Sequence, residues 1–397
     1  MTRFIPSAHG GIFLVLFFTI FATVTGVGMV VPLLPVYADE LGASGLYVGM
    51  IFGAFSFSRV LFLPYWGRLS DEKGRKPFIL TGLAGYALVS VCFIVFPSIN
   101  ALIGIRFVQG VASAMIMPVV QAYVGEITQK GREGYSMGLF NMSMFASLSL
   151  GPLMGGVIRD LFSMDGTFVC MGVLSVTGLL LSFFFLPPVE KEALSGKKRL
   201  VFSFGAMVRD RGLTALFVFR FGYTACIGVI WCFLPLFADK TFALSGATTG
   251  LLVMLGVFIS GLLHLPMGYA ADRLNRGAMV AAGGTLCVVG MFMLTVSDSY
   301  YDLLAAVTVF GVGGGISMPA IMALAILKGE EKSAMAQVMS IVTVAHSLGM
   351  MTGAMVAGLA MDYFELRFAF PCGMIIMAAA TVIFLLFHSF LPGRTWK

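Results

Sequence analysis

Five side chains able to carry charge stand inside long apolar runs of this sequence: Arg59, Arg106, Arg220, His264 and His346. A charge in the middle of an apolar segment is costly and marks function by default. A guanidinium keeps its charge and presents its donors in a rigid fork, so it suits an anion or a polar acceptor. An imidazole takes up and releases a proton near neutral pH, and His346 is the better placed of the two histidines to do so. The missing groups matter as much. All 19 Asp and Glu residues fall in breaks between apolar runs or at their ends. With no acid beside them, the arginines make an electropositive setting that favours neutral or anionic ligands over cations. The runs contain no carboxylate pair, metal-ligand cluster or Ser/His/Asp arrangement, so no catalytic residue, metal or cofactor is expected. GVGGG at Gly311–Gly315 lacks the strand a dinucleotide loop requires, and no Walker lysine follows a glycine-rich loop.

The elements that must position these groups are plain from composition. The 397 residues are 59% hydrophobic and 11% charged, and the mean hydropathy is +0.97. Soluble domains are about 45–50% apolar and about 25% charged. The apolar excess comes in blocks of about 20 residues, the length that crosses a bilayer as a helix. Twelve spans are expected, at 11–37, 46–66, 77–96, 101–123, 135–158, 166–186, 212–238, 247–268, 277–296, 302–326, 334–361 and 368–390. The first is too long for a signal-peptide core and is read as a retained span. The six cysteines lie within the runs and read as packing residues. Of the 25 Lys and Arg, nineteen lie at the termini or in every second loop. The alternate loops hold only Arg159, Lys240 and Arg367, and Arg59, Arg106 and Arg220 lie within spans. By the positive-inside rule both termini are cytoplasmic. The net charge of +6 thus reflects topology, not a nucleic-acid partner.

The halves repeat at an offset of about 200. PVYADE at 35–40 returns as PLFADK at 235–240, Ser44–Gly49 as Ser245–Gly250, and Met117–Pro118 as Met318–Pro319. The charged stretch GRLSDEKGRKPF at 67–78 returns in part as Gly268, Asp272 and Arg276. The expected fold is an all-α membrane protein of 12 transmembrane helices in two pseudo-symmetric six-helix bundles, 1–186 and 212–397, joined by a cytoplasmic linker at 187–211. Repeats of this kind build transporters whose site lies between the halves. The intramembrane arginines break the symmetry: their counterparts are Ser260, Val307, and Thr19 or its neighbours. Lys and Arg in GRLSDEKGRKPF fit a cytoplasmic loop, but Asp71 and the glycines need another reason. An acid there can accept from the unpaired N–H groups of a neighbouring helix's N-terminus, and Gly67 would let that helix approach.

Four motifs carry a resemblance to the major facilitator superfamily over the whole chain, most of all to its twelve-span drug:proton antiporter branch. GRLSDEKGRKP matches the signature G-x-L-a-D-r-x-G-r-k-p at Gly67, Leu69, Asp71, Gly74, Arg75, Lys76 and Pro77. Span 4 has R-x-x-Q-G at Arg106, Gln109 and Gly110. Span 5 has G-P-x-x-G-G at Gly151, Pro152, Gly155 and Gly156, which the family associates with exporters. Span 1 ends in PLLPVYADELG, like the branch's P-x-x-P.

The resemblance implies that spans 1, 4, 7 and 10 line a cavity. Arg106, Gln109, Arg220, Tyr223, Trp231, Phe21 and Met318 then become candidate substrate contacts, and Arg59 on span 2 reaches the cavity or a lateral gate. It implies that Asp71 and Arg75, with Gly67, Gly74, Gly268, Asp272 and Arg276, form a gate latch, and that His346 and Arg106 are proton-coupling candidates. The chain departs from the branch in having no embedded carboxylate. The second copy of the signature departs at Asn275 and Gly277. The expectation is a proton-coupled efflux transporter in the inner membrane, working as a monomer on small amphipathic compounds, neutral or anionic. The alternative is a dedicated carrier of an organic anion or a phosphate-bearing lipid, by antiport or facilitated diffusion.

Overall fold

The computed structural model describes residues 7–128, 133–187, 210–332 and 335–391. The expected linker, 187–211, falls almost entirely outside the described residues. Twelve long helices occur among them. Spans 1 to 6 are Ser7–Val30 (continuing as Leu34–Glu40), Gly45–Lys73, Arg75–Val95, Ile99–Ile127, Glu133–Leu161 and Met164–Phe185. Spans 7 to 12 are Arg211–Phe242, Gly246–Ala271, Arg276–Val296, Tyr300–Glu331, Met335–Tyr363 and Ala369–Phe387. Eleven of the helices among the described residues are long and apolar enough to cross a membrane. The twelfth, Glu133–Leu161, has 29 residues and carries the Gly-Pro motif.

Span 1 is not one continuous helix. It stops at Val30, turns through Val31–Leu33, and resumes at Leu34. Pro32 supplies the reason, since it has no N–H to donate and its ring crowds the preceding turn. Its counterpart in the repeat is Cys232, and span 7 runs unbroken from Arg211 to Phe242 with only Pro235 inside it. One proline bends a membrane helix; a second, three residues away, ends it.

The charged stretch at 67–78 is shorter as a loop than its composition suggests. Span 2 stays helical through Lys73 and span 3 begins at Arg75. Gly74 alone makes the corner at φ 92°, a conformation open to glycine at no steric cost. In the second copy the helix ends earlier, at Ala271, and Asn275 takes the corner at φ −68°. Its side chain accepts from the Ala278 N–H at 3.1 Å, so the departure from glycine brings an ordinary helix cap.

The chain forms two compact units. One comprises residues 1–41, 54–197 and 245–254; the other comprises 42–53, 198–244 and 255–397. Within the first, span 1 packs against spans 5 and 6, and span 3 against spans 4 and 6. Within the second, span 7 packs against spans 11 and 12, and span 9 against spans 10 and 12. The sequence repeat is thus a repeat of packing. Leu16 and Ile20 of span 1, Ile79 and Leu83 of span 3, and Val120 and Val124 of span 4 share one core at helical spacing. In lipid such cores are held by close dispersion contact more than by escape from water. All six cysteines are free thiols, and Cys226 donates to the Gly373 carbonyl at 3.2 Å.

Candidate functional site

Each unit holds a polar cluster deep among its helices. In the first, Arg106 is 2% exposed, and its guanidinium donates to Gln109 Oε1 at 2.6 Å and lies 4.4 Å from the Phe55 ring centroid. The i,i+3 spacing of the R-x-x-Q-G motif puts donor and acceptor on one face of span 4. Gly110 admits Phe55 and Ser58 of span 2, whose atoms would collide with any Cβ there. Gln109 reaches on to Met171 Sδ at 3.9 Å. Tyr86 of span 3 bonds Ser113 and lies within electrostatic reach of both Arg59 and Arg106. Arg59 Nε is buried and finds no acceptor among the described residues.

In the second unit, the guanidinium of Arg220 donates to Met318 Sδ and meets His346 Nδ1 at 3.2 Å. Its Nε is buried without an acceptor among the described residues. The helix next to it is held by Thr224, whose hydroxyl donates to the Arg220 carbonyl at 2.8 Å. Tyr223 stacks on Phe310 at 5.7 Å between centroids and 3° between planes, and its hydroxyl bonds Ser260. Gly314 leaves room for that hydroxyl. His264 Nδ1 contacts the Ser260 carbonyl at 2.5 Å, within electrostatic reach of Arg220. Among the described residues, neither Arg59 nor Arg220 makes an ion pair with a carboxylate. Phe21 and Trp231, the other two aromatic candidates, are half-buried.

The signature residues at 67–78 form a network within the first unit. Arg75, buried, pairs with Asp71 at 2.5 Å and with Glu126 of span 4 at 2.8 Å, and donates to the Ser70 hydroxyl at 2.7 Å. Glu126 is a partner that the sequence did not single out. The second copy is looser: Arg276 lies 3.9 Å from an exposed Asp272. The close helix approach anticipated at Gly67 is not made in this structure. Among the described residues, no atom of a neighbouring element lies within 4 Å of where a Cβ would sit at Gly67 or at Gly268, and Asp71 is taken up by Arg75. In span 5, a Cβ at Gly155 would collide with the Met29 backbone, and one at Gly156 with the Gly246 carbonyl. Span 5 therefore packs backbone against backbone along the Gly-Pro motif.

Twelve long helices, eleven of them apolar enough to cross a membrane among the described residues, a two-fold repeated packing and arginines set among the spans of both repeats define a polytopic membrane transporter. The chain belongs to the Major Facilitator Superfamily, whose pattern matches residues 16–327 and again residues 216–395. It is 28% identical to the MFS-type transporter MJ1560 of Methanocaldococcus jannaschii, over 88% of this chain and 90% of that one. It is 25% identical to the multidrug resistance protein MdtG of Proteus mirabilis, over 96% of this chain and 95% of that one. A bacterial homologue of the human lysosomal transporter Spinster, solved in an inward-facing and occupied conformation, has the same fold. Its TM-score is 0.81 at 10% identity, covering 97% of this chain and 98% of that one.

Proposed function

We propose that this protein exports small amphipathic compounds, neutral or anionic, by alternating access coupled to proton entry. It acts as a monomer in the inner membrane with both termini cytoplasmic, its two bundles being 1–186 and 212–397. One observation carries the choice of cargo: among the described residues Arg59 and Arg220 keep a buried N–H without an acceptor, and no span interior holds a carboxylate to balance them. A buried donor left unmade costs about 1–3 kcal/mol, which an acceptor on the cargo would recover. A cation would meet charge of its own sign. Export is supported by the span 5 glycines and by the full-length likeness to a multidrug resistance protein.

The proton falls to His346. A guanidinium nitrogen only donates, so the 3.2 Å contact requires His346 Nδ1 to accept, with the ring neutral. Protonating Nδ1 removes that acceptor and sets two cations face to face. Arg220 then leaves its pose, which links proton uptake to a residue that holds cargo. The test is a thermal-stabilisation screen of the purified protein against cationic, neutral and anionic amphiphiles of matched size. Stabilisation by neutral or anionic compounds, lost in Arg220→Ala, is expected; a clear preference for cations would sink the reading.

A further inference from the structure

Spans 2 and 8 carry the same device at their N-terminal ends. Asp362, in the last turn of span 11, accepts from the N–H of Gly45 at 2.6 Å and of Leu46 at 2.8 Å. Asp160, in the last turn of span 5, accepts from the N–H of Gly246 at 2.8 Å and of Ala247 at 2.7 Å. The two sets correspond residue for residue across the repeat. Each carboxylate takes two of the four orphan donors of a helix and sits at the positive end of its dipole. Bonds of this kind, to an ionised acceptor, are the stronger class. Arg159, next to Asp160, is engaged with Glu40 at 2.7 Å and leaves that acid to the helix.

Beside each carboxylate the backbones touch. Gly45 lies against Gly358 and Gly246 against Gly156, so closely that a Cβ on any of the four would meet backbone or carboxylate oxygen. One turn on, Gly49 lies against Ala354 and Gly250 against Pro152. These contacts draw residues 42–53 into the unit that holds span 11, and residues 245–254 into the unit that holds span 5. The remainder of each helix belongs to the opposite unit from its own first turns. Towards their other ends, among the described residues, no neighbouring element comes within 4 Å of a Cβ placed at Gly67 or Gly268. Asp71, the acid the family signature nominates, is occupied by Arg75, whereas Asp160 and Asp362 each cap a helix from another span.

We propose that Asp160 and Asp362 are a matched pair of catches. They tie the first turns of spans 8 and 2 to spans 5 and 11 in this state, and both release in the alternate state of the cycle. The inference rests on the alternating-access reading above. A permanent cap would hold two ends that never part, whereas each of these helices divides between two units within its own length.

The test is maleimide labelling of a reporter inside a tied segment, Val48→Cys or Val253→Cys, both nearly fully buried. The protein is held in nanodiscs with Cys92, Cys170 and Cys372 replaced by Ala. At the ordinary worth of a helix cap, Asp160→Ala or Asp362→Ala alone should raise the labelling rate about tenfold, and the double variant about a hundredfold. Asp→Asn, which keeps one acceptor oxygen, should fall between, and it replaces Ala if the double variant does not fold. Thermal midpoints are measured alongside. Labelling that stays unchanged, or that rises only in step with a falling midpoint, overturns the proposal. The assay uses no cargo, so unchanged labelling counts against the catches alone, and a wrong assignment of cargo leaves a positive result standing.

Discussion

The Arg220 guanidinium and the His346 imidazole meet at 3.2 Å across spans 7 and 11, with the arginine as donor and the ring Nδ1 as acceptor. The same guanidinium bonds the Met318 sulfur on span 10, so one cation joins three helices of a single repeat. Its counterpart in the other repeat is Thr19 or one of its neighbours, and Thr19 bonds Ser182 at 3.1 Å. The scaffold evidently closes without a charge at this position.

If His346 carries the coupling proton, His346→Gln separates transport from the gradient. Glutamine offers an oxygen to Arg220 but cannot titrate. In proteoliposomes, downhill movement of cargo should persist while accumulation driven by a pH gradient is lost. Accumulation equal to that of the parent protein would rule His346 out.

If Arg220 and Arg106 contact cargo, removing either should weaken binding without unfolding the protein. Arg220→Ala and Arg106→Ala are each expected to lower the apparent affinity for an anionic amphiphile about ten- to a hundredfold, the worth of one charge-assisted hydrogen bond. Arg220→Lys keeps the charge but loses the fork, and should recover only part of it. Titration by intrinsic fluorescence or thermal shift checks both, with expression level as the control.

Arg75 should matter more to stability than Asp71 does. Arg75→Ala strands Glu126, Asp71 and Ser70 together, and is expected to cost about 2 kcal/mol at a partly solvated site. Asp71→Asn leaves the Arg75–Glu126 pair in place and should shift the thermal midpoint little. If Asp71 serves as a latch in another state of the cycle, Asp71→Asn will still raise cysteine accessibility from the cytoplasmic side.

Asp210, which caps span 7, gives a pH signature. Partial burial works against its ionisation, but the hydrogen bonds from Lys332 at 2.6 Å and the Leu213 N–H at 3.0 Å, with Lys328 nearby, hold its carboxyl below the usual value. A depressed folded-state value stabilises the fold above the unfolded carboxyl's pKa of about 4, and that contribution disappears as pH falls through the folded value. Asp210→Asn should therefore lower the thermal midpoint at neutral pH, and the gap should close with acidification below about pH 4. A gap independent of pH would show that charge at Asp210 is not what stabilises this cap.

Some of the site was legible because it is local. Arg106 and Gln109 are three residues apart on one helix, and their bond follows from helical spacing alone. The turn at Gly74 was marked by its glycine. The break in span 1 was legible in principle, because Pro32 has no partner in the repeat, yet hydropathy runs through it undisturbed. Other pairs left no such trace. Glu126 lies 51 residues from Arg75, His346 lies 126 from Arg220, and Asp362 lies 317 from Gly45. The repeat did carry a hint of the last, since GGVIRD at 155–160 returns as AGLAMD at 357–362.

By itself the sequence determined how many helices there are, which family they belong to, and that three arginines stand among the spans with no acid between them. Those are properties of each residue and its near neighbours: apolar length, proline and glycine position, the spacing of a motif. Only the tertiary structure decided which donor each acceptor meets. It gave Arg75 to Glu126 and Arg220 to His346, left the Arg59 Nε–H without an acceptor among the described residues, and turned two unremarked aspartates into helix caps. A hydrogen bond needs its two atoms within about 3 Å, and for residues far apart in the chain that distance is set by how helices pack.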